Sequence, residues 1–178
     1  MNIVKILQTD VQDDVREEAL ERMMSAYGTS MLRMAFLYLR DVSLAEDAVQ
    51  EAFLKAYLHG NQYRGQSSEK SWLTRIVINT CKDVRRCAWM RFVDRRVAID
   101  QMPDAGKDFP AADDTVLREI LHLSNRDKEV ILLRYYQGMK IQEIGEALQV
   151  PESTVSSRLS HAKQKLHQRL ERWYFDEE

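Results

Sequence analysis

The chain has 178 residues, of which 44% are hydrophobic and 30% are charged, and its formal net charge is −2 at pH 7. This length accommodates one large domain or two small ones, and only six Gly and three Pro interrupt it, which favours helices over strands. No apolar run approaches the roughly 20 residues that span a bilayer, and the N-terminus is a poor secretory signal, so we expect a soluble protein of the cytoplasm.

Charge is distributed in four blocks along the chain. Residues 1–60 carry 6 basic and 10 acidic side chains, whereas residues 61–96 carry 9 basic and 3 acidic ones. Residues 97–129 are acidic again, and residues 130–172 are basic. Two basic segments indicate two contacts with a nucleic acid, and the acidic segments indicate a different partner. Chance clustering on solvated faces is the alternative interpretation.

The first part of the chain predicts three helices. Apolar residues recur at the helical period over residues 12–40 and again over residues 41–59, where Ser43 is the expected N-cap. The segment 60–70 is polar and contains two glycines, so it predicts a loop. A third amphipathic helix follows over residues 71–92, with an apolar face and a basic outward face.

The helical periodicity fails over residues 93–112, which contain two of the three prolines. This composition predicts a flexible linker. The predicted fold is all-α, with two small helical domains, residues 1–92 and 113–178, joined by that linker. The second domain is predicted to contain four short helices, over residues 114–123, 126–136, 141–148 and 151–170.

The last two helices have the pattern of a helix-turn-helix. Pro151 fits the first turn of the second of them, and Val155, Leu159 and Ala162 recur at helical spacing as its inward face. Short hydroxyl side chains allow a close approach to base edges, and basic side chains neutralise phosphates. The predicted DNA-facing residues are Ser153, Thr154, Ser157, Arg158, His161 and Lys163. An ordinary helical hairpin with a solvated outer face is the alternative.

The residue types present argue against catalysis and metal binding. Cys81 and Cys87 are six residues apart, on different faces of one predicted helix, and no Cys/His cluster lies near them. The chain has no P-loop, no HExxH motif and no apparent nucleophile–base pair. We therefore expect a protein that is not an enzyme and that needs no metal or other cofactor.

Three segments occur in order around the linker: DVSLAEDAVQEAFLKAY, SWLTRIVINTCKDVRR and SNRDKEVILLRYYQGMKIQEIGEALQVPESTVSSRLSHAKQKL. They resemble, respectively, region 2.2, regions 2.3 and 2.4, and region 4 of sigma-70 family sigma factors in the extracytoplasmic-function group. The resemblance covers about residues 15–172. It implies a dissociable subunit that binds bacterial core RNA polymerase and directs initiation at specific promoters. It also implies control by an anti-sigma factor, which in this family is often membrane-anchored.

The resemblance implies a role for each matching residue. The residues implied to bind polymerase are Asp47, Gln50, Glu51 and Phe53. The residues implied to bind the minus-ten element are Tyr63, Arg64, Ser67, Arg75, Asn79, Lys82, Arg85 and Arg86, of which Tyr63 could stack on a base flipped from the duplex. The helix-turn-helix face given above is implied to read the minus-thirty-five element. Trp72 is expected to be a core residue that fixes the loop to the third helix.

Two other functions remain open at this point. A free-standing helix-turn-helix regulator would bind its operator tightly without polymerase, and it would leave the acidic helix without a role. A helical interaction module that sequesters a partner would be indifferent to the loss of Arg75 and Arg86. Neither alternative accounts for all three segments.

Overall fold

A computed structural model of the chain describes residues 3–60, 63–86 and 114–175, with side chains described for 15–60, 63–86 and 115–171. The predicted linker 93–112, together with Cys87, lies outside the described residues. Within the described residues the structure is helical and contains no strand, so the predicted all-α fold class is confirmed.

The helices form two groups, one on each side of the undescribed segment. We call α1–α3 the first domain and α4–α7 the second domain. Their bounds are α1 Ile3–Leu39, α2 Val42–His59, α3 Glu69–Arg86, α4 Asp114–His122, α5 Asn125–Ile131, a π-helical turn Leu132–Tyr136, α6 Ile141–Leu148 and α7 Glu152–Phe175.

Helix α2 begins two residues earlier than the sequence pattern predicts. Asp41, with extended backbone, is its N-cap, and the Leu44 N–H donates to Asp41 Oδ1 at 2.9 Å. The prediction that Ser43 is the N-cap is wrong, because α1 ends at Leu39 and Arg40, with a left-handed φ of 59°, leads directly into Asp41. This turn leaves Ser43 inside the first turn of α2.

The core of the first domain is formed where α1, α2 and α3 pack together. Met31, Phe36, Leu73 and Ile78 are at most 1% exposed and fill its centre. Burying large apolar side chains of this kind contributes about 1.5–3 kcal/mol each to folding. Cys81 is also in this core, where burial raises the pKa of its thiol to about 12.

The second domain contains a feature that the sequence pattern does not predict. The helix predicted over residues 126–136 is α-helical only as far as Ile131, and a π turn follows. The Gln137 N–H donates to Leu132 O at 3.1 Å, five residues back, and Gly138 then takes a φ of 72°. Such wide turns are rare and are frequent at functional sites.

The two domains contact each other. Helix α1 packs on α5, and α3 packs on α6. Buried hydrogen bonds join Tyr38 to Glu129 and Ser30 to Gln137 across this contact. The domains therefore have a defined relative arrangement in the structure, which the sequence alone does not provide.

Candidate nucleic-acid interface

One face of α2 is exposed along most of its length. Asp47, Gln50, Glu51, Leu54 and Leu58 all lie on it, at the three- and four-residue spacing of a single helix face. Leu54 is 56% exposed and Leu58 is 61% exposed, so the face presents two neighbouring apolar side chains to solvent. An acidic, amide-bearing face that also exposes leucines is suited to a protein partner with a basic and partly apolar surface.

Phe53 does not belong to this face. It is 4% exposed and lies in the core of the first domain with Ala52 and Ala56. Its burial leaves the Phe53 side chain unavailable to a partner that binds this face. Leu54 and Leu58 were not among the predicted contact residues, although their helical spacing from Asp47 and Glu51 places them on the same face.

The loop between α2 and α3 is held in shape by Tyr63. Its hydroxyl donates to Ser67 O at 2.7 Å, and its ring centroid lies 5.3 Å from that of Trp72. Trp72 is 8% exposed, which confirms it as a core residue. Arg64 is exposed and Gly65, with a φ of 69°, forms the turn between Tyr63 and Ser67. Residues 61 and 62 lie outside the described residues.

A paired ion contact fixes the end of this loop to α1. Both terminal nitrogens of Arg22 donate to the carboxylate of Glu69, at 2.8 and 2.6 Å. The hydrogen bond from Arg22 holds the pKa of Glu69 below its ordinary value. Ser68 caps α3 by accepting from the Ser71 N–H at 3.1 Å. The start of α3 is therefore positioned from two sides.

The outward face of α3 is exposed at its N-terminal end and half-covered near its C-terminal end. Arg75 and Asn79 are exposed, whereas Lys82 and Arg85 are half-buried against the second domain. The guanidinium of Arg85 lies 5.0 Å from the centre of the Tyr38 ring, and its Nη1 is buried without a hydrogen-bond partner among the described residues. Arg86 is exposed and pairs with Asp83 at 3.2 Å.

The helix-turn-helix is closely packed at its turn. Helix α6 ends at Gln149, whose φ of 56° is left-handed, and the Val150 N–H donates to Gly145 O at 2.9 Å. A Cβ at Gly145 would lie 2.9 Å from Val150 O, so the turn leaves no room for a side chain there. Pro151 O then accepts from the Thr154 N–H at 2.9 Å and starts α7.

The outer face of α7 presents the predicted DNA-facing residues with different degrees of exposure. Ser153, Ser157, His161 and Lys163 are exposed, and Thr154 and Arg158 are half-buried. Lys163 lies 5.8 Å from the centre of the Tyr135 ring. Short hydroxyls at the start of the helix and cations further along it are the arrangement expected of a major-groove helix.

His161 is held within the second domain. Its Nδ1 lies 3.3 Å from Asp127 Oδ1, while Lys165 donates to Asp127 Oδ2 at 3.0 Å. Burial alone would raise the pKa of Asp127, but hydrogen bonds from Lys165, Ser124 and His161 outweigh it and lower that pKa. This contact between α5 and α7 does not follow from the sequence pattern, since its members are more than 30 residues apart.

The described part of the chain contains no group of three or more His, Cys, Asp or Glu that could hold a metal ion. Among the described helices, none is long and apolar enough to cross a membrane. The candidate binding surfaces among the described residues are the exposed face of α2, the loop before α3 together with the outer face of α3, and the outer face of α7.

Family models match both domains. The sigma-70 region 2 model matches residues 13–91, and the sigma-70 region 4 model matches residues 113–166. The two matches agree with the order of the segments around the linker.

Characterised relatives and a solved structure show the same likeness. The ECF RNA polymerase sigma factor SigW of Bacillus subtilis strain 168 is 26% identical over 86% of this chain and 90% of its own. The RNA polymerase sigma factor SigV of the same organism is 30% identical over 73% of this chain and 78% of its own. The sigma factor RpoE, solved in complex with the anti-sigma factor NepR from Bartonella quintana, has the same fold, with a TM-score of 0.72 at 19% identity, covering 86% of this chain and 98% of its own.

Proposed function

The chain belongs to the sigma-70 family of RNA polymerase sigma factors, in its extracytoplasmic-function group, and on that premise we propose which surfaces perform each step of initiation. The exposed face of α2 binds core polymerase. The loop from Tyr63 to Ser67 and the outer face of α3 bind the minus-ten element. The outer face of α7 binds the minus-thirty-five element. The protein directs initiation at the promoters that carry both elements.

The observation that carries this proposal is the separation of the α2 face from the cationic faces. Asp47, Gln50 and Glu51 are exposed beside Leu54 and Leu58, on a different helix from the cationic side chains of α3. A chain that only bound DNA would have no use for an exposed acidic and apolar face. Two cationic faces and one acidic face fit a protein that joins polymerase to promoter DNA.

This division of surfaces explains how a chain with a net charge of −2 can hold DNA. Phosphate contacts depend on local cations such as Arg75 and Arg86, and the exposed hydroxyls of α7 address base edges. Polymerase supplies much of the affinity for DNA, so the DNA-binding faces of α3 and α7 each need few contacts. Alone, the chain should bind DNA weakly and with a strong dependence on salt.

Strand opening is proposed to depend on the loop from Tyr63 to Ser67. Unstacking a base costs a few kcal/mol, which contacts in a pocket can offset. The Tyr63 hydroxyl already bonds to Ser67 O and the ring packs on Trp72, so the loop is shaped before DNA arrives. A preformed loop loses less conformational freedom on binding than a flexible one.

We further propose that an anti-sigma factor binds this chain and keeps it from polymerase. The related fold of RpoE, which is bound by the anti-sigma factor NepR, supports this proposal. The site of action would be the cytoplasm, where core polymerase acts. The chain itself performs no catalysis, and nucleotide chemistry belongs to the polymerase.

Run-off transcription with purified bacterial core polymerase tests the proposal. We expect specific transcripts from genomic promoter fragments only when the chain is added. Replacing Asp47 and Gln50 together by Ala should abolish them, because the polymerase contact is lost. The matched control replaces Glu18 and Ser25, an exposed acid and an exposed polar residue of α1, by Ala and should transcribe normally.

The absence of transcripts, combined with tight binding of the chain alone to duplex DNA, would contradict the proposal. If the Asp47→Ala, Gln50→Ala variant still gives transcripts, the sigma function stands but the α2 face is not the polymerase contact.

A further inference from the structure

A cleft of about 290 Å³ is lined by side chains of both domains, and most of its charged side chains are cations. Helix α3 contributes Lys82, Arg85 and Arg86, and the second domain contributes Arg126 and Arg158. We propose that this cleft is a binding site for an oligophosphate anion, supplied either as a free inorganic polyphosphate or as the phosphate chain of a nucleotide. The proposal goes beyond promoter recognition and does not depend on it.

The charges that line the cleft are far from balanced. Glu129 is the one acid among the described lining residues, against five cations. Its carboxylate already accepts a hydrogen bond from the Tyr38 hydroxyl at 2.6 Å and lies 4.0 Å from Lys82 Nζ. One engaged carboxylate leaves most of this positive charge without a counter-ion inside the chain. A cleft lined by one sign of charge attracts and concentrates ions of the opposite sign.

Three of the arginines have no ion-pair partner among the residues that the structure describes. They are Arg85, Arg126 and Arg158. The Nη1 of Arg85 is also buried without a hydrogen-bond acceptor among those residues. Bringing unpaired guanidinium groups together is unfavourable, because arginine does not lose its proton in proteins. An anion in the cleft would relieve this repulsion.

The pKa of Lys128 is an independent sign of the positive charge at this place. Lys128 is 1% exposed and precedes Glu129 on α5. Burial, and then the charges of Arg40 and Arg85, lower its pKa to about 7. Arg85 lines the cleft, so the charge of a lining residue also acts on a buried group beyond the lining.

The donor types and the size of the cleft favour a short chain of phosphates. Four of the five cations are arginines, whose guanidinium groups bind phosphate oxygens through paired hydrogen bonds. An anion with several charged groups can pair with cations of both domains at once, whereas a single carboxylate cannot. The volume is close to the lower limit of the roughly 300–1,000 Å³ typical of small-molecule sites, which are often found between domains. It is too small for a duplex, whose major groove alone is about 12 Å wide.

The lining of the cleft also differs from the DNA-binding faces. Arg126 belongs to none of the three candidate binding surfaces, yet it lines the cleft. Leu148 and Val150, at the end of α6 and in the turn after it, add an apolar part to the lining. Apolar side chains beside several cations are suited to a nucleoside joined to phosphates. The nucleotide form of the anion would therefore gain a contact that inorganic polyphosphate lacks.

Isothermal titration calorimetry of the full chain with sodium tripolyphosphate, at physiological salt, tests the proposal. The cleft variant is Arg126→Gln, Arg158→Gln. The matched control is Arg118→Gln, Lys140→Gln, which removes two exposed cations of the second domain that do not line the cleft. Both variants lose the same charge, so a difference between them reflects position. Circular dichroism verifies that each variant is folded.

We expect one tripolyphosphate to bind per wild-type chain. The cleft variant should bind it at least about tenfold more weakly, because charged hydrogen bonds to the phosphates are lost. The control should stay within about twofold of the wild type, because salt screens exposed charges outside the site.

Glu129→Gln provides a test with the opposite sign. This change removes the one opposing charge and keeps an oxygen that can accept from Tyr38. We expect it to bind tripolyphosphate about threefold more tightly or better. A variant that only disturbs the fold would not bind more tightly, so a gain cannot be explained by misfolding.

ATP and adenosine distinguish the two sources of the phosphate chain. Tighter binding of ATP than of tripolyphosphate, without binding of adenosine, would support a nucleotide site. Affinity for ATP equal to or below that for tripolyphosphate would support an inorganic polyphosphate site. Adenosine that binds as tightly as tripolyphosphate would overturn the recognition of phosphates.

Three other results would overturn the proposal. The first is the absence of saturable tripolyphosphate binding to the wild type. The second is an equal loss of affinity in the cleft variant and in its control. The third is weaker binding by a folded Glu129→Gln variant. None of them bears on the proposed function, which run-off transcription tests separately.

Discussion

Asp127 is the residue that joins the start of α5 to the recognition helix α7. It is 4% exposed, and its two carboxylate oxygens contact His161 and Lys165 of α7. Sequence reasoning assigned His161 to DNA from its position on the helix face. Helical periodicity does not predict the contact with Asp127, because it indicates which face a residue occupies and not which residue lies opposite.

Asp127→Ala should destabilise the second domain by about 1–3 kcal/mol at neutral pH, because a buried acceptor of charged hydrogen bonds is lost. The pKa of Asp127 is lowered in the folded chain, so its stabilisation is present above the ordinary pKa near 4 and is lost as pH falls through the folded value. Urea unfolding at pH 7 and at progressively lower pH measures this difference.

Glu171→Ala is the control for that measurement, since Glu171 pairs with His167 on the exposed side of α7. It should change the free energy of unfolding by less than about 0.5 kcal/mol. An Asp127 variant as stable as this control at pH 7, or a difference that persists undiminished in acid, would contradict the role of Asp127.

At the scale of single elements, α2 has two neighbouring apolar residues of which one lies in the core and the other on the surface. Phe53 is 4% exposed and Leu54 is 56% exposed. The sequence pattern identified the helix and its acidic face, because Asp47, Gln50 and Glu51 recur at helical spacing. It did not assign these two apolar neighbours, because hydrophobicity alone does not say which of them the other helices cover.

Leu54→Ala should weaken binding to core polymerase while changing stability by less than about 0.5 kcal/mol, because the side chain is exposed in the free chain. Phe53→Ala should instead act mainly on stability. It should lower the free energy of unfolding by about 3–5 kcal/mol, because it leaves a cavity in the core. Urea unfolding and a polymerase-binding titration under folding conditions measure the two effects. Equal loss of stability in both variants would reject the exposed position of Leu54.

The turn of the helix-turn-helix provides a second prediction at this scale. Gly145→Val should destabilise the second domain by about 1–3 kcal/mol, because its side chain must displace the Val150 carbonyl. The exposed neighbour Glu146→Val is the control and carries only the helix-propensity cost, below about 1 kcal/mol. Urea unfolding compares them, and equal losses would show that the turn can move away from residue 145.

For the whole molecule, sequence reasoning identified the helical content, the two groups of helices and the alternation of charge. These follow from local periodicity and composition. The packing of α1 on α5 and of α3 on α6 did not follow, because the helices of each pair are far apart in the sequence. The hydrogen bond between Tyr38 and Glu129, for example, joins residues 91 apart. The linker that connects the domains has no periodic pattern from which their arrangement could be derived.

The contact between the two domains should depend on pH through Lys128. This residue is 1% exposed, and burial, followed by Arg40 and Arg85 of the first domain, lowers its pKa to about 7. A lysine with a lowered pKa, when protonated, opposes the packing that buries it. The penalty is complete below about pH 7 and disappears as pH rises towards the ordinary value near 10.4.

We therefore expect the radius of gyration to decrease between about pH 6.5 and pH 9, as the packed arrangement of the two domains gains population. Lys128→Met should be more compact at low pH and should lose this dependence, whereas the exposed Lys140→Met should keep it. Solution scattering across this range measures the change. A wild-type chain whose dimensions do not vary, or a Lys128 variant that varies as the wild type does, would contradict the prediction.

The π turn over Leu132–Tyr136 has a consequence for insertions and deletions. Each residue of an α-helix advances the chain by about 100° of rotation, so one residue more or fewer changes the direction of everything beyond it. Loss of a single residue here would regularise the helix and turn Gln137 away from Ser30. Related chains could thus keep every DNA-facing residue and still differ in whether their domains engage, through the length of this one segment.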